Sequence, residues 1–480
     1  MNILKNLDFY NQLNHRHGFA SYSRWITNIF VTLLLLILMI GQFVFASAPS
    51  LVTWTDPTPS ALQPFDGNAE ALADLAGSSL LFYPQPKKTI TLPYQSGPKT
   101  YQNVQYVTGA IVVSASADQV EKLLVDYAGY SRLFPKITEA VVQANEQRGD
   151  FTHDGTSQNQ ASIRSIVKYH MQIKIPVPLL SFNEDILMQH ERTHNSISTL
   201  ILDSPVRYGS GKFEWFPLKN GKTLITLTQW GDLDRPKGFV VSTILRAMPE
   251  IKYAIPNSVE GFVLESLRQH FDSNFVTKAL PMSNIVPVIN LNNEQEAQVV
   301  KLLRQGGVVQ FNHLPVWMAT PNHPEKLWFV SSFYNVPAPF AKTKDAFANP
   351  QDFPNIYRQV RHVTSTPLAG GGSQNDIKIG LGLGVISIPM HIQLAYQPEP
   401  DRSSIRFYTT GGDIEFIQGR FQFKALDNKN TLVGLTAGSH LGDNPPFLLR
   451  LGKYLPYPDY LPTVGSAPVI FEKTRLWLLK

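Results

Sequence analysis

The sequence predicts an α+β protein that contains two tandem copies of one domain behind an N-terminal hydrophobic segment. Three observations predict it: an uncharged apolar run near the N-terminus, a series of strand-like patterns closed by a long amphipathic helix, and a second occurrence of that series later in the chain. A sheet covered by one long helix is an α+β arrangement, because each element buries the apolar face of the other.

The composition is typical of a folded chain with large cores. The 480 residues are 43% hydrophobic and 16% charged, and this length corresponds to roughly two to four domains. The net charge of +5 is dispersed, with no basic run interleaved with aromatic residues, so nucleic-acid binding is excluded. The chain has no cysteine, which excludes disulfides, thiolate catalysis and cysteine-ligated metal centres.

Residues 25–45 are predicted to form a transmembrane helix or the hydrophobic part of a signal sequence. The run has no charged side chain, and as a helix it spans about 30 Å, the thickness of a hydrocarbon core. Arg16 and Arg24 precede it within residues 1–24, whereas the first charge after it is Asp56. The positive-inside rule therefore predicts a cytoplasmic N-terminus and a periplasmic body in a bacterial cell envelope.

Cleavage after this segment stays open at the level of the sequence. Ala46-Ser47-Ala48 has the small residues of a secretory cleavage site. Pro49 disfavours a cut after Ala48, because proline lacks the backbone N–H of an extended substrate, but a cut after Ala46 avoids that objection. We slightly favour an uncleaved inner-membrane anchor over a released periplasmic form.

Beyond the segment the sequence divides into four regions. Residues 49–100 are rich in Pro, Ser, Gly and Asp and are interpreted as a linker or lead-in. Residues 101–278 form the first predicted domain, with a strand, a short helix capped by Ser116, further strands and a long closing helix. Residues 279–324 are predicted to be a connector with a short helix, and residues 325–480 the second domain.

The two domains share residues as well as pattern. Residues 211–228 align without a gap with residues 419–436 and are identical to them at eight of eighteen positions, where about one identity is expected from average composition. Upstream, Phe134-Pro135 matches Phe353-Pro354. Self-similarity of this kind indicates a duplicated domain.

The order of elements and the short motif Asp126-Tyr127…Tyr130…Phe134-Pro135 resemble the START-like, helix-grip superfamily, specifically its polyketide-cyclase and coenzyme Q-binding branch. The resemblance implies a curved antiparallel sheet that grips a long C-terminal helix. It also implies an apolar cavity between sheet and helix that holds lipids, sterols, quinones or polyketides.

The second copy departs from this motif, because Ala346 and Asn349 replace the two tyrosines. It also has alternating glycines at Gly380, Gly382 and Gly384. Glycines on one strand face indicate either a bend or the close approach of another backbone or a ligand. We therefore expect the second copy to be the degenerate one.

One catalytic motif needs a structural test. His190-Glu191-Arg192-Thr193-His194 matches the His-Glu-x-x-His pattern of zinc metallopeptidases, which requires a helix to bring both imidazoles onto one metal. The alternation of Ile197, Thr199 and Ile201 favours strands here, and on a strand the two histidines lie about 13 Å apart. We therefore predict no metal, no cofactor and no catalytic residue set.

These observations favour a non-enzymatic periplasmic binder or carrier of an apolar ligand of the lipid, sterol or quinone class, associated with the membrane through its N-terminal segment. The alternatives are an aromatase/cyclase-type enzyme acting on an apolar substrate, and a scaffold in which one copy has lost its cavity. The predicted ligand contacts are large aromatic side chains, for which ordinary core packing is the competing interpretation. They are Tyr127, Tyr130, Phe134, Phe213, Trp215 and Phe262 in the first copy, and Phe353, Phe421 and Phe423 in the second.

Overall fold

The computed structural model describes residues 49–480 except for the short ranges given at the end of this paragraph. The predicted membrane segment at residues 25–45 lies outside the described residues. Within them, no helix is both long enough and apolar enough to cross a membrane. The ranges left out are 95, 149–161, 175–180, 239–240, 243–244, 247–248, 273–285, 321–323, 370, 384–385, 401–402, 443–444 and 446–460.

The first copy starts with a lead helix, Ala69–Ala76, capped by the Asn68 side chain. A helix at Ala117–Val125 follows the fourth strand, and its capping box of Ser116 and Gln119 confirms the predicted cap. A short helix at Tyr130–Leu133 comes next, and the first closing helix is Ile255–Phe271. The strands are β1 (Leu80–Pro84), β2 (Lys88–Leu92), β3 (Lys99–Val104), β4 (Val107–Val113), β5 (Ile137–Arg148), β6 (Ser162–Lys174), β7 (Ser181–Thr193), β8 (Ser196–Asp203), β9 (Gly209–Pro217) and β10 (Thr223–Gly231).

The second copy repeats this order from its own lead helix, Asn293–Leu303, capped by Asn292. Its further helices are Phe340–Ala348, Phe353–Ile356 and the second closing helix, Leu461–Leu478. The strands are β11 (Val309–Asn312), β12 (Val316–Ala319), β13 (Pro324–Leu327), β14 (Phe329–Val336), β15 (Val360–Pro367), β16 (Ser373–Leu383), β17 (Ile386–Pro398), β18 (Ser404–Gly412), β19 (Phe416–Ala425) and β20 (Thr431–His440).

Among the described residues, sixteen strands join the copies into one sheet, in the order β15-β16-β17-β18-β19-β20-β14-β11-β1-β4-β10-β9-β8-β7-β6-β5. The order reads the same from both ends once each strand is replaced by its counterpart in the other copy. At the centre, β1 and β11 pair antiparallel, with Phe82 opposite Gln310. The predicted α+β class and the tandem arrangement are therefore confirmed.

The regions interpreted as a linker and a connector contain equivalent, ordered parts of the two copies. Each supplies a lead helix and one strand, β1 or β11, which pairs with the first strand of the predicted domain, β4 or β14. Without β1 and β11, the edges of β4 and β14 would be exposed for pairing with other chains. The repeated unit is therefore longer than its sequence signature.

A polar seam runs through the centre of the sheet and occurs once in each copy. In the first, Gln85 Nε2 donates to Thr108 Oγ1 at 2.8 Å, and that hydroxyl lies 2.9 Å from the Thr228 hydroxyl. In the second, His313 Nε2 lies 2.7 Å from Ser331 Oγ, which lies 2.6 Å from Thr436 Oγ1. The duplication thus extends to buried hydrogen bonds.

Residues 51–61 form an N-terminal strap across β7, β8 and β9 of the first copy. The Gln189 amide accepts from the Val52 N–H and donates to the Val52 carbonyl, both at 2.7 Å. Asp56 lies 2.8 Å from Lys212 Nζ and accepts from the Ser198 hydroxyl. The start of the predicted linker is therefore held by side-chain contacts to the sheet.

The first closing helix packs closely on β4. A side chain at Gly109 would place its Cβ 2.4 Å from Leu264 Cδ1. Leu264 and Leu267 are fully buried in the same cluster as Trp215. This close contact brings the helix onto the sheet and fixes the region between the first closing helix and β5–β10, which we call the first grip. The corresponding region of the second copy is the second grip.

Candidate functional site in the first grip

An aromatic cluster fills the inner part of the first grip. Its buried members come from the segment after the capped helix and from β6, and they include three of the predicted ligand contacts. They are Tyr127, Tyr130, Phe134, Val167 and Tyr169. Partly exposed apolar side chains of the short helix, β5, β7 and the closing helix surround them, namely Leu133, Ile137, Ala140, Ile186, Met188, Phe262 and Val263.

The rings contact one another in the geometries that aromatic quadrupoles favour. Tyr127 stacks on the His190 imidazole with centroids 4.6 Å apart and planes at 15°. Phe134 meets Tyr130 edge-on at 4.9 Å and Phe262 at 6.1 Å. The structure therefore brings together four of the six residues predicted for the first copy.

A buried hydrogen-bonded chain crosses this aromatic cluster. The Tyr169 hydroxyl lies 2.8 Å from His190 Nε2, and His190 Nδ1 lies 2.9 Å from Thr199 Oγ1. Burial lowers the pKa of His190 to about 3, and burial also raises the pKa of the Tyr127, Tyr130 and Tyr169 phenols. All four side chains are therefore neutral near pH 7, and His190 is not poised as a general base.

The strand ladder identifies the equivalent positions of the second grip. Phe213 and Phe421 are aligned by sequence and lie opposite Ile197 and Ile405. From these aligned pairs, the pairing of each strand with its neighbour gives the equivalent positions on the next strands. Tyr169, His190 and Thr199 of the first grip correspond in this way to Ile377, Tyr396 and Phe407. The Tyr396 and Phe407 rings stack at 5.7 Å, so the polar chain of the first grip has no counterpart at these positions.

The other predicted contacts belong to separate parts of the cores. Trp215 is fully buried, and Phe213 packs on the same cluster, apart from the Tyr127 cluster. Phe421 and Phe423 contact Phe347 at 5.5 Å and 6.1 Å. Phe353 contacts Tyr357 and Tyr396. These residues stay predicted ligand contacts.

Tyr169, His190 and Thr199 were not among the predicted ligand contacts. They lie on three different strands, and their proximity depends on the registers of β6, β7 and β8. The register between β7 and β8 shifts at Leu187/Met188. The alternation of Ile197, Thr199 and Ile201 indicated a strand, but alternation does not give the register between neighbouring strands.

The His-Glu-x-x-His motif lies on a strand and not on a helix. His190 belongs to β7, which ends at Thr193, and His194 lies in the following turn. Both ring nitrogens of His190 face hydroxyl groups. Within the described residues, no group of three His, Asp or Glu side chains could hold a metal ion.

No protein-family model and no curated protein sequence matches this chain. Among solved structures, it is similar to the di-domain aromatase/cyclase BexL of the BE-7585A biosynthetic pathway, with 14% identity, 77% of this chain and 98% of that chain covered, and a TM-score of 0.23. It is also similar to a START superfamily protein from Mycobacterium smegmatis, with 16% identity, coverage of 35% and 98%, and a TM-score of 0.25.

A third similar structure is the STAR-related lipid transfer protein from Xanthomonas axonopodis, with 14% identity, coverage of 38% and 98%, and a TM-score of 0.22. With TM-scores below 0.5, these similarities carry no argument, and the fold assignment rests on the element order of the chain itself. In each copy a first strand, short helices, six further antiparallel strands and a closing helix follow one another. The chain therefore has the START-like, helix-grip fold that the sequence resemblance implied, present as two tandem copies.

Proposed function

We propose that this protein is a non-enzymatic binder or carrier of an apolar ligand of the lipid, sterol or quinone class, and that the ligand binds in the first grip. The body works in the periplasm of a bacterial cell envelope, and residues 25–45 either anchor it in the inner membrane or are removed after export. The proposal combines the tandem helix-grip fold with the chemistry of the first grip.

The observation that carries the proposal is the difference between equivalent positions of the two grips. Isoleucine, tyrosine and phenylalanine occupy the second grip where Tyr169, His190 and Thr199 occupy the first. Buried polar groups contribute less to stability than well-packed apolar ones unless every hydrogen bond is made. The second copy has the same fold without the chain, so packing alone does not require it in the first.

The first grip suits a ligand with an apolar body and one polar oxygen. Ile186, Met188 and Phe262 offer partly exposed apolar surface beside the buried rings. The Tyr169 hydroxyl and the neutral His190 imidazole can exchange their mutual hydrogen bond for one to a carbonyl or hydroxyl oxygen. Apolar area would supply the affinity and the polar pair the orientation.

The neutral state of the polar chain favours binding over catalysis. An aromatase/cyclase needs a group that gains or loses a proton near the working pH, whereas burial lowers the pKa of His190 to about 3. The alternative proposals are a cyclase-type enzyme and a scaffold in which one copy has lost its cavity.

Native mass spectrometry of the full chain, extracted from its own membrane, tests the proposal. We expect a co-purified apolar molecule whose occupancy falls about fivefold to tenfold in Tyr169→Phe, which removes one hydroxyl and about one hydrogen bond of free energy. Tyr357→Phe is the matched control, because this partly buried phenol of the second copy likewise makes one hydrogen bond, to the Thr474 hydroxyl. A chain that carries no apolar molecule, and binds none when phospholipid, sterol and quinone are added, would contradict the proposal.

The absence of cysteine allows a direct test of location. Lys219→Cys places a single thiol on an exposed turn, and Ser23→Cys places one before the hydrophobic segment. In cells with a permeabilised outer membrane, a membrane-impermeant maleimide is expected to label the first and spare the second. Labelling of Lys219→Cys only after the inner membrane is broken would contradict a periplasmic body.

A further inference from the structure

A cleft of about 390 Å³ lies between the two copies. Its walls include β3, the segment after β10, the start of the first closing helix and the middle of the second closing helix. Both copies contribute side chains, for example Trp230 from the first and Tyr334 from the second. The cleft is distinct from the first grip, because it contains none of the aromatic cluster residues described above.

Four of the side chains that line the cleft are aromatic, namely Tyr101, Trp230, Tyr253 and Tyr334. Tyr101 of β3 meets Trp230 of β10 edge-on, with ring centroids 4.8 Å apart. Tyr253 and Tyr334 line the cleft as well, next to the two closing helices. Aromatic faces carry negative electrostatic potential, so several of them around one space favour an organic cation.

A buried carboxylate also lines the cleft. Asp232 follows β10 and is only 5% exposed, and its Oδ1 accepts from the Asp234 N–H at 3.2 Å. Its other oxygen, Oδ2, has no hydrogen-bond partner among the described residues. The pKa of the neighbouring Tyr101 phenol is raised by burial, then by the charge of Asp232 and by a weak hydrogen-bonding interaction with the same carboxylate, too long to count as a normal hydrogen bond, so the carboxylate and the phenol share one environment.

The nearby lysine and arginine side chains compensate the negative charge of Asp232 only weakly. Lys252 pairs with Asp234 at 3.4 Å, and Arg475 pairs with Glu472 at 2.7 Å. Arg235 reaches Asp232 Oδ2 only at 4.0 Å and is itself 73% exposed. Water screens the interaction between Arg235 and Asp232, because Arg235 is so exposed. The Oδ2 atom of Asp232 is therefore left without a close positive partner in a space lined by aromatic rings.

We propose that the cleft between the copies binds an organic ammonium ion, with the cationic head between the aromatic rings and its charge facing Asp232. The aromatic walls provide cation–π contacts, and Asp232 provides the counter-charge. The volume of the cleft is within the range of small-molecule sites, which is about 300–1,000 Å³. This site is separate from the proposed apolar ligand site in the first grip, and neither proposal requires the other.

The test is calorimetric titration of the full chain with choline and with its neutral isostere 3,3-dimethylbutan-1-ol. The two probes have the same shape, so their difference reports the charge. We expect saturable choline binding and affinity for the neutral alcohol at least about tenfold lower. Equal affinity for the two probes, or no saturable choline binding, would overturn the proposal.

Two variants sharpen the assignment to Asp232. Asp232→Asn keeps the side-chain shape and the Oδ1 acceptor, and it is expected to weaken choline binding at least about tenfold. Asp234→Asn is the control, because this neighbouring carboxylate is 79% exposed and already paired with Lys252; its affinity should stay within about twofold. An Asp232→Asn protein that melts as the wild type does and binds choline equally well would contradict the proposal.

The choline result and the first-grip result can be told apart. Tyr169→Phe should leave choline affinity unchanged, and Asp232→Asn should leave the occupancy of the apolar molecule unchanged. If Asp232→Asn does not fold, the comparison of choline with its neutral isostere on the wild-type chain still decides the proposal.

Discussion

In the first grip, a tyrosine, a histidine and a threonine form a buried hydrogen-bonded chain, whereas the equivalent positions of the second grip hold an isoleucine, a tyrosine and a phenylalanine. Around these positions the two copies share their strand order, their lead helices and their polar seams. Because the frame is shared, each copy serves as a reference for the other. A polar group present in only one copy is not demanded by the fold.

The closing helices show the same contrast. Each carries a Glu–Arg pair one turn apart, Glu265–Arg268 in the first and Glu472–Arg475 in the second. With these pairs aligned, Glu260 of the first helix corresponds to Ala467 of the second. Glu260 is fully buried, and neither of its carboxyl oxygens has a hydrogen-bond partner within the described part of the chain, whereas Ala467 packs in an apolar core.

The position held by Glu260 in the first copy and Ala467 in the second gives the largest predicted effect on stability. Burial raises its pKa well above the ordinary value, so the folded chain keeps the proton while the unfolded chain loses it as pH rises through that ordinary value. Stability from this group is therefore full at low pH and lost as pH rises. We expect Glu260→Met to raise the free energy of unfolding by about 1–3 kcal/mol at pH 8, measured by urea denaturation of the full chain.

The pH dependence distinguishes this effect from better packing. The gain from Glu260→Met should shrink towards pH 5, since fewer of the unfolded chains are ionised there and folding pays less to protonate the wild-type group. The reciprocal change, Ala467→Glu, should destabilise the second copy by about 3 kcal/mol or more at pH 8. A gain from Glu260→Met that is the same at pH 5 and pH 8 would show that ionisation is not its cause.

The strap gives an intermediate effect confined to the first copy. Gln189 binds the Val52 backbone with both amide atoms, whereas its equivalent in the second copy is Ala395 by strand register. We expect Gln189→Ala to cost about 1–3 kcal/mol, because it leaves backbone groups without partners. Limited proteolysis should then cut faster within residues 51–61.

The control for the strap is Gln397→Ala, which removes a glutamine from β17 in the second copy. It should not change cleavage of residues 51–61. Equal proteolysis of the wild type and Gln189→Ala would show that the remaining contacts of Asp56 hold the strap by themselves.

The polar seam gives the smallest effect, because both copies already use it. Gln85 and His313 hold equivalent places and contact a hydroxyl in the same way. His313→Gln is therefore expected to change the free energy of unfolding by less than about 1 kcal/mol, whereas His313→Ala should cost about 1–3 kcal/mol by leaving a buried hydroxyl with one partner fewer. Thermal unfolding of the two variants measures the difference, and equal losses would contradict the equivalence.

Many of the helices, strands and turns could be predicted from the sequence, because they depend on local signals such as helix caps and turn residues. Ser116 caps its helix as predicted, and Asn220-Gly221 forms the turn between β9 and β10, with Gly221 at a φ of 76°. The joining strands β1 and β11 are short and pair across the duplication. The pairing of these two strands depends on contacts between residues distant in sequence. Hydrophobic periodicity and turn residues do not specify such contacts.

Less of the candidate site could be predicted. The aromatic motif after the capped helix indicated Tyr127, Tyr130 and Phe134, and the structure brings them together. The hydrogen-bonded chain depends on two strand registers and a register shift. The cleft between the copies is assembled from segments far apart in the chain, so no short motif marks it.

The central claim is that the first grip binds an apolar ligand and that its polar chain holds the ligand there. The most direct test replaces the polar chain of the first grip with the residues of the second, as Tyr169→Ile, His190→Tyr and Thr199→Phe combined. Native mass spectrometry of the full chain should show the co-purified apolar molecule reduced at least about tenfold, with cooperative unfolding retained. A folded triple variant that keeps the molecule at wild-type occupancy would contradict the account.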